Sequence, residues 1–233
     1  MSWRLLLLLA LFPVAAWAQP ADGKVYTPGP FEQLEVDGSA RIRLTLGDRD
    51  EIVVEGDANA QSGVELRLVD NRLRIHAAGD WKFWNSERRR ISVQMRKLTR
   101  LTLSGTGDVH AAGRVAAEQL AISISGAGLV RFDDLKVDQL RFEVSGAGDG
   151  QLAGRVDELK LSISGKGKVQ ADQLRAGVAI VGISGVANAR LWVIDELRLG
   201  ITGVGHVDYW GEPAVVKRST SGLASINNLG PKR

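Results

Sequence analysis

A four-residue element, SGxG, returns along this chain at a nearly constant interval, and that recurrence limits the fold more than any other feature. Clear copies are Ser104-Gly-Thr-Gly107, Ser125-Gly-Ala-Gly128, Ser145-Gly-Ala-Gly148 and Ser164-Gly-Lys-Gly167. Degenerate copies follow at Ser184-Gly-Val-Ala187, Thr202-Gly-Val-Gly205 and Ser221-Gly-Leu-Ala224. Successive first residues lie 21, 20, 19, 20, 18 and 19 positions apart. Each copy follows a short alternating apolar run, such as Ile122/Ile124, Phe142/Val144 or Leu161/Ile163, which reads as strand. The same parity continues past the glycines at Val109, Val130, Leu152 (through Gly150) and Val169. A unit near twenty residues is too short for a strand–helix–strand crossover, which needs about thirty. It suits one coil of a parallel β-solenoid, with inward apolar ladders and equivalent strands stacked at ~4.8 Å. Seven coils would make a rod of roughly 30 Å at that spacing.

Glycine-rich loops also cradle phosphate, so the element has two readings. A P-loop or dinucleotide fingerprint needs a helix directly behind its glycines. Here the spacing is GxG, the motif repeats in every coil, and no helical stripe follows. The bend reading therefore takes Gly105, Gly107, Gly126, Gly128, Gly146, Gly148, Gly165 and Gly167 as structural corners. Glycine suits such a corner through close backbone approach or a positive φ. A positive φ at Gly146 is one specific expectation. A serine repeated in seven corners is not a nucleophile; its hydroxyls stack or bond local backbone.

The first eighteen residues, MSWRLLLLLALFPVAAWA, have the layout of a secretory signal peptide, with Arg4, an apolar run and the cleavage signal Ala16-Trp17-Ala18. Cleavage before Gln19 leaves 233 − 18 = 215 residues, with no transmembrane segment expected. The absence of cysteine excludes disulfides, thiol catalysis and thiolate metal sites. With only His76, His110 and His206, and no ligand spacing among them, no metal or other cofactor is expected.

The net charge of +3 is uneven. Residues 81–100 carry seven basic side chains against Glu87, a local +6, so the remainder sums to −3. Within that stretch, WKFWNSERRR places Trp81, Phe83 and Trp84 beside Arg88, Arg89 and Arg90. Aromatics that stack sugar rings next to guanidinium groups make this the candidate ligand-binding segment. Its alternative role is to plug one end of the solenoid, since terminal units must close the core. A patch this small, without a reading motif, does not indicate nucleic-acid binding.

Before the repeats, strand-like runs at 31–36, 40–46, 51–55, 64–69, 72–76 and 91–95 read as an antiparallel start or as irregular capping coils. The layout FEQLEVDGSARIRLTLGD, then VELRLVDNRLRIHA, then LTRLTLSGTGDVHAAG with repeated SGAG coils resembles the putative auto-transporter adhesin head GIN domain family. That resemblance implies a bacterial exported, right-handed β-helix-like domain with a role in adhesion or surface interaction, without assigned catalytic residues.

The reading is an all-β chain, a right-handed parallel β-solenoid with coils of about twenty residues. It has a signal peptide at 1–18, capping or starting strands at 19–98 and the repeats at 99–233. The expected role is a non-catalytic scaffold in the periplasm or at the cell surface, with an anionic glycan, an envelope component or another protein as partner. Two alternatives remain open: self-assembly into homo-oligomers, and a pectinase- or lyase-like enzyme. The enzyme would use the polar column four residues after each serine: Asp108, Leu129, Asp149, Lys168, Asn188, His206, Ser225. Its two carboxylates would stand two coils, about 9.6 Å, apart, at the far edge of what glycoside hydrolysis uses. Lys168 beside Asp149 reads as a cross-coil ion pair.

Overall fold

Residues 23–56, 61–77 and 89–232 are described by a computed structural model. The named elements are sixteen β-strands in one sheet, wound into a solenoid of about six turns. Five long strands carry the repeats: β9 (Asp108–Ile124), β10 (Leu129–Val144), β11 (Asp149–Ile163), β12 (Lys166–Ile183) and β13 (Val186–Ile201). Each pairs in parallel with the next, so consecutive coils in sequence are neighbours in space. The seven corners anticipated from sequence delimit six complete coils.

Alternation within a coil breaks three times. In β10 the buried residues are Val130 and Phe132, then Leu135 and Val137, then Leu140, Phe142 and Val144. Exposed or half-buried pairs at 133–134 and 138–139 separate these runs, and SGAG closes the circuit. Three inward runs and three breaks make a three-faced coil. The register slips at the first break in every neighbouring pair, which absorbs the variation in repeat length. Inward positions stack as ladders, for example Leu120, Leu140 and Leu159, or Ile124, Val144 and Ile163. Gly150 occupies an inward rung, as the parity requires, because the Phe142 ring fills its place: a Cβ there would lie 2.6 Å from Cζ. Burying such a ring contributes about 1.5–3 kcal/mol.

The positive φ expected at Gly146 is not found. Among the described residues the glycines in that region are Gly29, Gly38, Gly56, Gly154, Gly211 and Gly230. Gly146 is required for a different reason. An added Cβ would overlap the Gly126 carbonyl oxygen and lie 2.5 Å from the oxygen of Ser125. Adjacent corners touch backbone to backbone, leaving no room for a side chain.

The N-terminal strands obey another order. β2 (Gln33–Gly38) lies parallel between β6 (Arg72–Ala77) and β8 (Arg100–Leu103). β3 (Ala40–Leu46) lies between β7 (Arg89–Met95) and β9. The first coil of the chain is therefore intercalated between later ones. Beyond it, β4 (Glu51–Glu55) runs antiparallel to β7 and to β1 (Gly23–Tyr26), and β5 (Val64–Val69) antiparallel to β6. At the other end β14 (Val204–Trp210), β15 (Val215–Thr220) and β16 (Leu223–Asn228) complete the stack. The final pair is exposed almost throughout.

Candidate functional site

The corners are committed to the stack. The Ser125 N–H donates to Leu103 O (2.9 Å) and the Ala127 N–H to Gly105 O (3.0 Å). Equivalent bonds recur from Ser145 and Ala147, Ser164 and Lys166, Ser184 and Val186, Thr202 and Val204, and Ser221 and Leu223. A phosphate cradle needs converging free amides, and these two are used at every corner. The hydroxyls of Ser104, Ser164 and Thr202 reach back to the carbonyls of Val36, Val144 and Ile183.

The polar column forms in the register read from sequence, with Asp108, Leu129 and Asp149 on successive coils. It extends backwards to Arg41 and Arg90. The expected Asp149–Lys168 ion pair is replaced by a backbone contact, in which the Lys168 N–H donates to Asp149 Oδ1 at 2.9 Å. Two residues along, the charged groups pair locally. Asp133 receives Arg131 Nε at 2.6 Å and meets His110 Nε2 at 2.8 Å. The Arg131 hydrogen bond first, and then the His110 bond, hold the Asp133 carboxyl below its ordinary range. Asp208 is held low chiefly by the Asn227 amide, with His206 adding to it. These are satisfied surface clusters without a raised acid to donate a proton. Among the described residues no group of His, Asp and Glu is placed to hold a metal.

Of the segment singled out at 81–90, Trp81, Phe83, Trp84 and Arg88 lie outside the described residues, as does the signal segment at 1–18. Arg89 and Arg90 open β7 and fall on opposite sides of it. Arg89 pairs in register with Ala40, and its guanidinium lies against Gly63 at the end of the stack. Arg90 joins the outer polar column next to Arg41. The two arginines do not share one surface.

A second basic column was not anticipated. Arg100, Ala121, Arg141 and Lys160 are in register on successive coils of the face that precedes the glycine corners. Ala121 is small, and the dip over it opens into a groove of about 760 Å³. Lys97, Gln119 and Gln139 also line it. Arg141 is neutralised by Glu143 at 2.6 Å, Lys160 by Glu158 at 2.6 Å and Lys97 by Glu32 at 3.3 Å. Arg100 has no carboxylate partner among the described residues. The signal was present four positions before each corner serine, the mirror of the spacing used for the Asp108 column.

A family profile described as putative auto-transporter adhesin, head GIN domain, matches residues 30–213, from the first intercalated coil to the last full one. The chain belongs to this family. Solved structures similar to this GIN domain include a putative adhesin from Bacteroides fragilis NCTC 9343, at 23% identity and TM-score 0.83, covering 89% of this chain and 96% of that one. A putative adhesin from Parabacteroides merdae ATCC 43184 is similar at 20% identity and TM-score 0.68, over 89% and 95% of the two chains. A putative lipid binding protein from Parabacteroides distasonis ATCC 8503 is similar at 18% identity and TM-score 0.68, over 90% and 98%. At these identities the likeness establishes a shared fold. No curated protein sequence matches this GIN domain. No helix among its described residues is long and apolar enough to cross a membrane.

Proposed function

We propose that this GIN domain is an exported, non-catalytic, adhesin-like head whose groove holds an anionic polymer, such as an acidic glycan of a cell envelope. The observation that carries the reading is Arg100, a guanidinium without an acid partner among the described residues, two coils from Arg141 across the dip at Ala121. Guanidinium groups pair carboxylates and phosphates bidentately, and the Gln119 and Gln139 amides supply the hydrogen bonds that sugar hydroxyls need. Stacked rungs fix these side chains at regular intervals, which matches a repeating polymer. Family membership supports export and adhesion. The Asp108–Asp149 pair favours no hydrolysis, because Leu129 separates the two and Asp149 accepts a backbone amide. Trp81, Trp84 and Arg88 remain a proposed second contact.

The test is binding of the whole chain to immobilised alginate and heparin across a salt series, with neutral dextran as control. Replacing Arg100, Arg141 and Lys160 together by alanine should weaken binding at least about tenfold, or 1.4 kcal/mol, and flatten its salt dependence. Unchanged binding would remove the groove from the account. A loss on replacing Trp81, Trp84 and Arg88 instead would move the site to that segment.

A further inference from the structure

The outward column on the middle face of the coil changes chemistry along the rod. In register it reads Lys136, Arg155, Arg175, Trp192 and Trp210. Three cations give way to two half-buried indoles. After β16 the chain continues in the same parallel register beside the end of β14: the Leu229 N–H donates to Tyr209 O and the Gly211 N–H to Gly230 O, both at 2.9 Å. This path delivers Lys232 to the tryptophans. Its Nζ lies 5.0 Å from the ring centroid of Trp192 and 5.5 Å from that of Trp210.

The ammonium is shielded from solvent and has no hydrogen-bond partner among the described residues. An ammonium carries three N–H donors, and burying donors unmet is costly. The indole faces answer its charge but none of its donors. A pocket built this way suits a cation that has no N–H, namely a quaternary ammonium. One rung beyond Trp192 stands Arg175, about 4.8 Å away by strand spacing, with no carboxylate partner among the described residues. The next rung, Arg155, has Asp157 only at 3.9 Å. A phosphate attached to the quaternary ammonium would therefore fall on Arg175.

We propose that Trp192, Trp210 and Arg175 form a binding site for a choline-phosphate group, and that Lys232 occupies its ammonium subsite as an internal competitor. The site is separate from the groove and stands on different residues. A ligand must displace Lys232, so its apparent affinity is lowered by the fraction of molecules in which the lysine is seated.

The whole chain is titrated with tetramethylammonium, choline, phosphocholine and phosphatidylcholine vesicles, read by tryptophan fluorescence. Lys232→Ala should bind phosphocholine at least about tenfold more tightly than the original chain. Adding Arg175→Gln should reduce phosphocholine to the affinity of choline and leave tetramethylammonium unaltered, a readout that does not depend on disturbing the packed indoles. Binding of free phosphocholine, or of vesicles alone, upholds the site and identifies its source as a soluble group or a lipid surface. No saturable response of Lys232→Ala to tetramethylammonium or phosphocholine in the millimolar range overturns the site. Equal affinity with and without Lys232 overturns the competition.

Discussion

The coils of β9 to β13 and the coil of β2 and β3 solve one packing problem with different sequences. In the first group the corners are SGxG or its degenerate forms SGVA and TGVG, and each coil lies beside its neighbours in sequence. In the second the corner is Gly38-Ser39-Ala40, Gly38 has φ +93°, and the coil sits between strands that follow it by 39 and 67 residues. The backbone contacts are nonetheless conserved across the junction: the Ser104 N–H donates to Val36 O and the Thr106 N–H to Gly38 O, both at 2.9 Å. A parallel ladder demands only that each corner clear the next one, and the residues that achieve this differ with local φ. The detour also has a structural product. As the chain crosses back from β7 to β8 it lays Lys97, Thr99 and Arg100 beside Gln33 and the 117–121 stretch, which creates one end of the groove.

This contrast can be broken at the corners. The largest effect is expected from Gly146→Val, whose side chain would collide with the Gly126 and Ser125 carbonyls. Backbone cannot rotate aside, so a loss of about 3 kcal/mol is expected in denaturant unfolding, the upper end of overpacking costs. A smaller effect follows from Arg131→Gln. The bond from Arg131 lowers the Asp133 pKa in the folded state, so its stabilisation is present above the unfolded value of about 3.9 and is lost as pH falls through the folded one. The original chain should exceed the variant by under about 1 kcal/mol at pH 7, and the two should converge as the pH drops below about 4. A constant gap down to low pH would show that Arg131 acts through packing instead. The smallest effect belongs to Gly182→Ala. This glycine lies outside the corners with nothing within 4 Å of an added Cβ, and a change within about ±0.5 kcal/mol is expected.

Solenoid, coil length and corner glycines were legible because a parallel stack writes each coil in the same register, and a period of twenty survives without any long-range information. Gly150 was legible as inward by parity, though only the structure names Phe142 as its filler. The position of β2 between β6 and β8 was not legible. Pairing order depends on which edges meet in space, and residues 33–38 alternate identically whichever neighbour they take. The groove escaped for a related reason: its face became apparent only once Arg100, Ala121, Arg141 and Lys160 were in register. The Lys232 contact joins positions 22 and 40 residues apart through aromatic faces, which carry no sequence spacing at all.

The intercalation of β2 is the claim on which the groove depends, and a chain without cysteine allows it to be tested directly. Glu35 is in register with Arg74 on one side and with Thr102 on the other. At a strand spacing of about 4.8 Å, cysteines at either pair are within reach of a disulfide or a short thiol cross-linker. Glu35→Cys/Arg74→Cys and Glu35→Cys/Thr102→Cys should both cross-link in the folded protein, seen as linked tryptic peptides by mass spectrometry. Cross-linking of the Arg74 pair with none at Thr102 would mean that the coils stack in sequence order, and would contradict the intercalated first coil and the groove built on it.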